Sequence, residues 1–247
     1  MTRVMRQLCA VFVLVAGSAV YAHAGPILPG NAAGTEGNTN NAFPFNLGDF
    51  GLTSQRYQQV YGSADFSAAI LITGISFRPD ATTGGAFSTT LSDIQINMST
   101  TSRAVDGLSS TFATNVGAND TVVYARGSLS LSSAFTGPAG GPKNFDIHIV
   151  FTTPFLYNPA AGNLLLDVRN FGGGSTTQFD AANAADTVSR ATTLSLGVGN
   201  STAELVDSTG LVTQFDTAVV STVPEPATLV LLGTGLFAAR RARRRAS

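Results

Sequence analysis

The 247-residue chain has one cysteine, no tryptophan and two histidines. Cys9 sits in an apolar stretch near the start, so whatever follows has no thiol, and disulfide staples and thiolate metal sites are excluded from it. His148 is the single histidine beyond residue 24, and one imidazole without cysteine cannot build a zinc or copper centre. Charge is scarce as well, with Asp, Glu, Lys and Arg together 12% of the chain. Residues 25–223 carry seven basic side chains against fourteen acidic ones, a net charge of −7. An acidic body without a basic patch excludes nucleic acid as a partner. What remains is Gly, Ser, Thr, Asn and aliphatic residues in about 200 positions, enough for one extracellular β domain with a core of its own.

The basic residues missing from the body are at the ends. Arg3 and Arg6 precede an apolar run from Leu8 to Tyr21, and Ala22-His23-Ala24 follows. That order is a secretory signal peptide over residues 1–24, a signal helix cut after Ala24 by signal peptidase at the secretory translocon. No cysteine follows the cut, so a lipoprotein signal is not indicated.

The C-terminal segment, residues 219–247, has three ordered parts. A linker and motif at 219–226 contains Pro224-Glu225-Pro226, whose prolines fix φ and hold Val223 and Glu225 extended, presenting a stiff peptide with one carboxylate. The apolar stretch 227–239 follows, with Leu229, Val230, Leu231, Leu232, Leu236 and Phe237, and reads as a short membrane helix. Arg240, Arg241, Arg243, Arg244 and Arg245 close the chain in a basic stop, residues 240–247. A helix over 227–239 reaches only about 20 Å against a hydrocarbon core of about 30 Å, which suits a transient stop better than a durable anchor. This tail resembles the PEP-CTERM sorting tail of bacterial envelope proteins. The resemblance implies cleavage near Pro-Glu-Pro by an exosortase, a membrane protease. It also implies an inner-membrane intermediate, then the cell surface or extracellular matrix of a Gram-negative-type bacterium, in a setting of exopolysaccharide and biofilm.

Between the ends, the patterning has period two. Residues 25–46 read as a flexible or extended lead-in, with Phe43 and Phe45 tucked onto the body. The domain proper, 47–218, carries strand signals at Ile70–Phe77, at Ile94, Ile96 and Met98, from Val122 to Leu131, from Phe145 to Phe151 with Pro154 as its end, and at Leu164, Leu166 and Val168. Weaker strands are expected over 194–198, 203–206 and 211–215, and a helical turn over 54–61, where Tyr57 and Tyr61 are four apart. The fold class is all-β, an antiparallel β-sandwich, with jelly-roll-like arrangements included.

Candidate chemistry in the body is thin. His148 and Asp146 fall two apart on the outward face of their strand, without a nucleophile motif, so His148 reads as a surface histidine and no catalytic residue is assigned. Asp180, Asn183 and Asp186 offer oxygen ligands at even spacing in an expected loop and are the candidates for calcium, though without an EF-hand pattern; no other cofactor is indicated. Glu36 and Glu204 are too isolated for a glycosidase pair. Tyr57, Tyr61, Tyr124 and Tyr157 could form a sugar platform but are better suited to packing. Gly172-Gly173-Gly174 reads as a loop, not a phosphate cradle. Three functions compete: a non-enzymatic, structural or interacting envelope protein, favoured here; a secreted, possible calcium-assisted carbohydrate-binding module; and, last, a hydrolase.

Overall fold

The computed structural model describes residues 22–183 and 187–218. Residues 1–21 of the expected signal peptide and the whole 219–247 tail, with its proline, apolar and arginine positions, lie outside the described residues, as does Asp186. The described body has thirteen strands: β1 (Ala22–Leu28), β2 (Thr39–Asn41), β3 (Gln55–Tyr61), β4 (Ile70–Phe77), β5 (Phe87–Thr101), β6 (Thr121–Ser133), β7 (Ile147–Tyr157), β8 (Asn163–Asn170), β9 (Phe179–Asn183), β10 (Val188–Thr192), β11 (Leu205–Asp207), β12 (Thr209–Leu211) and β13 (Thr213–Ala218). Every strand pairing is antiparallel. No α-helix occurs among the described residues, only single 3-10 turns.

Two larger sheets, ordered β1-β13-β4-β7 and β11-β10-β3-β8-β5-β6, enclose one core, and a small sheet β12-β9-β2 sits beside them. The alternation dictates which side chains enter. Ile147, Ile149 and Phe151 of β7 are buried with Ile75 and Phe77 of β4, facing Ile94, Ile96 and Met98 of β5 and Leu164, Leu166 and Val168 of β8. His148 and Val150 point the other way and are exposed.

Several elements depart from the sequence reading. Gln55–Tyr61 form strand β3, not the helical turn expected over 54–61. A spacing of four puts Tyr57 and Tyr61 on one face of a strand as well as of a helix, and pairing to β8 and β10 on both sides decides for the strand. Residues 194–198 are irregular, and the strand lies just upstream at β10, whose Val-Ser-Arg-Ala-Thr sequence hides it behind polar letters. Pro154 does not end β7, which runs on to Tyr157. β7 is an edge strand of its sheet with an irregular register against β4 there, so the N–H that proline lacks is not needed. The lead-in contributes β1 and β2 and is extended and paired.

The outward face of β8 is not wet. Residues 102–120 cover it, and Leu108 and Phe112 pack on Val60, Leu165 and Ala191 as a second, smaller core. Asp167 is 2% exposed there. Arg56 compensates it through Nε at 3.1 Å and Nη2 at 2.5 Å, with Gln58 Nε2 donating at 3.1 Å.

Candidate functional site

Two of the three expected calcium ligands, Asp180 and Asn183, do not converge, and the third, Asp186, lies outside the described residues. Asp180 lies in strand β9 three positions before Asn183, an odd offset that alternation sends to opposite faces. Asp180 is fully buried, whereas Asn183 is exposed and donates its N–H to Asn38 Oδ1 at 2.7 Å. A different carboxylate group forms instead. Glu36 from the lead-in, Asp80 just after β4, and Asp180 place one oxygen each within 4.8 Å of one another. Three segments far apart in sequence meet there, so spacing along the chain could not reveal it.

Arg78 organises this cluster from a position 1% exposed. Its Nε donates to Asp180 Oδ2 at 2.6 Å, while Nη2 donates to the carbonyls of Ala32 at 2.8 Å and Thr35 at 2.6 Å. The guanidinium also lies 4.8 Å from the ring centre of Phe145. Gly37 N–H donates to Asp180 Oδ1 at 2.8 Å, and Ala81 N–H to Glu36 Oε1 at 2.7 Å. The group thereby clamps residues 32–37 of the lead-in onto β4 and β9. Glu36 Oε2 is buried without a hydrogen-bond partner among the described residues. Oxygens at this separation are the donor type that hard cations take.

The three acids differ in acidity. Burial pushes Asp180 up to about 6, against the lowering effect of Arg78, and Glu36 adds to the rise. For Asp80, burial acts upward too, but hydrogen bonds from the side chains and N–H groups of Thr82 and Thr83 outweigh it and hold the carboxyl below its ordinary value. The folded state therefore binds a proton on Asp180 more tightly than an unfolded chain, whose aspartate titrates near 3.9. Its contribution to stability is complete below that value and is lost as pH rises through about 6. Denaturant titrations should show the native chain losing stability over this window relative to Asp180→Asn. Parallel pH curves for the two would refute the assignment.

His148 has partners the sequence did not suggest. Ser76 Oγ lies 2.8 Å from His148 Nδ1 and donates to Asp216 Oδ2 at 3.1 Å. These three residue types are those of a hydrolytic triad, but the serine stands between the histidine and the carboxylate, where a triad requires the histidine. Ser76 is also only 1% exposed. Asp146 turns away from His148, and its Oδ2 accepts from Ala134 N–H at 2.9 Å. The row is a cross-strand polar ladder over β13, β4 and β7.

The remaining candidates are structural. Tyr57, Tyr61 and Tyr157 are all buried, donating through their hydroxyls to Gln59 Oε1 and Gly162 O or sharing a hydrogen bond with Thr213, so they form no sugar platform. Tyr124 is half-buried, with its hydroxyl on Ser128 O. Glu204 accepts from Leu194 N–H, Leu196 N–H and Ser195 Oγ, which fixes the irregular 194–198 segment and, led by the Leu196 bond, lowers its own pKa. Gly172 and Gly173 wrap the buried amide of Asn170, whose Oδ1 accepts both their N–H groups.

The sequence-derived cleavage site falls inside β1. Ala22, His23 and Ala24 pair with Ala218, Thr217 and Asp216, so both ends of the described body lie side by side at one edge of a sheet. An all-β body thus leads directly into a segment with the composition of a sorting signal. Residues 222–245 match the family model of the PEP-CTERM protein-sorting motif. No curated protein and no solved structure matches the chain. The motif implies an exported protein that passes through a membrane-held stage towards the cell surface, with an exosortase as its processing partner.

Proposed function

We propose that this chain is a non-enzymatic protein of the cell envelope or extracellular matrix, of structural or interacting type. It leaves the cytoplasm through the secretory translocon, loses residues 1–24 to signal peptidase, is held at the inner membrane by its tail, and is released after exosortase cleavage at Pro224-Glu225-Pro226. The surroundings are those of a Gram-negative-type cell with exopolysaccharide, its partner in a biofilm matrix. The match of residues 222–245 to the sorting motif carries this reading. The buried Ser76 and the misordered Ser76–His148–Asp216 row support a body without hydrolytic chemistry.

The test is made in the native host. Replacing Pro224, Glu225 and Pro226 with alanine removes the stiff recognition peptide but leaves the apolar run and the arginines. Full-length tail is then expected to accumulate in the inner-membrane fraction, with the released form reduced to background. Release at the unaltered rate would refute the proposal. Intact mass of the exported native form locates both cuts independently.

A further inference from the structure

The body itself has a surface suited to the membrane. In register, Ala22 pairs with Ala218, Ala218 with Leu71, and Leu71 with Leu156, so one row across the β1-β13-β4-β7 sheet contains both points where the chain leaves the body. The sequence beyond each point leads to an apolar run, 8–21 on one side and 227–239 on the other. The linker 219–226 is short. Fully extended, its eight residues reach at most about 29 Å, so a body whose tail is in the bilayer stays within that distance of it.

The surface around that row has the chemistry to go closer. Leu156 points outward and is 58% exposed, beside the half-buried Leu71. The two flanking turns present Ala68 and Ala69 before β4 and Ala160 and Ala161 after β7, and all four are exposed. Neither Ser67–Ala69 nor 158–162 contains a charged residue, although the body as a whole is acidic. Of the carboxylates close by, Asp65 lies two residues before Ser67 and accepts from Thr187 Oγ1, while Asp216 lies opposite Gly74, further along the sheet, and is engaged by Ser76. Val150, 72% exposed, is opposite the same glycine and extends the apolar character along β7. An uncharged surface enters the headgroup boundary without the desolvation that a charged loop suffers, and each apolar side chain buried there adds favourable transfer.

We infer that the Leu71, Leu156 and alanine-turn end of this sheet is a lipid-contact surface that rests on the bilayer while the tail is in place. This rests on the reading of 227–239 as a membrane segment. The contact orients the body and holds the 219–226 linker at the interface, where a membrane protease would work.

The chain as signal cleavage leaves it, residues 25–247, can test it in phosphatidylcholine vesicles carrying a headgroup spin quencher. This form has no cysteine, so Ala68→Cys, Leu156→Cys or Ala139→Cys supplies one fluorophore site. Ala139 lies in the 134–146 connection at the opposite end of β7 and serves as the distant control. In chain that floats with the vesicles, quenching at 68 and 156 is expected to exceed that at 139 by at least about twofold. Equal quenching at all three sites in floating chain overturns the contact and leaves the tail reading intact. Labels at 68 and 156 shielded from aqueous iodide but not quenched by lipid assign the face to a protein partner, and overturn it too. Failure to float overturns the tail reading, and the inference with it. A fluorophore at 68 should also lose its quenching when Leu156→Asp is added, while flotation persists.

Discussion

Replacing Arg78 with leucine should destabilise the body by about 3–5 kcal/mol, the range for stranding one member of a buried ion pair. Arg78 is 1% exposed and is the cation among the three converging carboxylates. Leucine fills much of the volume but leaves Asp180 buried beside Glu36 and Asp80, with Ala32 O and Thr35 O deprived of their donor. For a domain of this size the loss corresponds to a melting temperature lower by roughly 10 °C. Two controls identify the cause. Adding Asp180→Asn to Arg78→Leu removes the stranded charge and keeps an acceptor for Gly37 N–H, so part of the stability should return. The Arg78→Leu deficit should also shrink as pH falls towards about 6, because without the guanidinium that lowers its pKa Asp180 takes up its proton above that value. A loss below about 1 kcal/mol by urea denaturation would mean that the cluster does not depend on this guanidinium.

That cluster marks the limit of what the sequence could reveal. The alternation of Phe145, Ile147, Ile149 and Phe151 defines one face of a strand, and the structure buries the last three together. Phe145 drops out because it precedes β7 and lies beneath the guanidinium of Arg78 instead. Side-chain period was enough for β4, β7 and β8, since each has one face on the core. It failed where burial comes from both sides. β10 contains Ser189, Arg190 and Thr192, all buried, and Arg190 is neutralised by Asp207 of β11. No one-dimensional pattern distinguishes such a strand from a loop. The burial of Asp167 is equally illegible in one dimension, since its cover arrives from residues 102–120. In the tail the position is reversed: order alone, Pro-Glu-Pro then apolar then arginine, is the signal, and residues 222–245 match on that basis. The carboxylate group needed the fold because its members come from the lead-in, the end of β4 and β9.

Phe77→Ala is expected to cost about 3–5 kcal/mol, the range for deleting a fully buried aromatic ring. Phe77 packs with Phe45 at 5.5 Å and Phe179 at 6.0 Å between ring centres, and Phe45 with Phe179 at 5.6 Å. All three are completely buried. One ring belongs to the lead-in, one to β4 and one to β9, so this triangle holds the same segments that Arg78 clamps by charge a single residue away. Removing the middle ring should therefore expose residues 29–38 to proteolysis before the larger sheets open, because their remaining hold is polar. Phe50, 52% exposed and packed on Phe43 at 5.3 Å, is the comparison: Phe50→Ala should change stability by only about 0.5 kcal/mol. Urea midpoints and the order of cleavage in a brief protease digest measure both effects. If Phe77→Ala lost stability while 29–38 stayed protected, the polar clamp alone would hold the lead-in, and the ring triangle would act only on the core between the sheets.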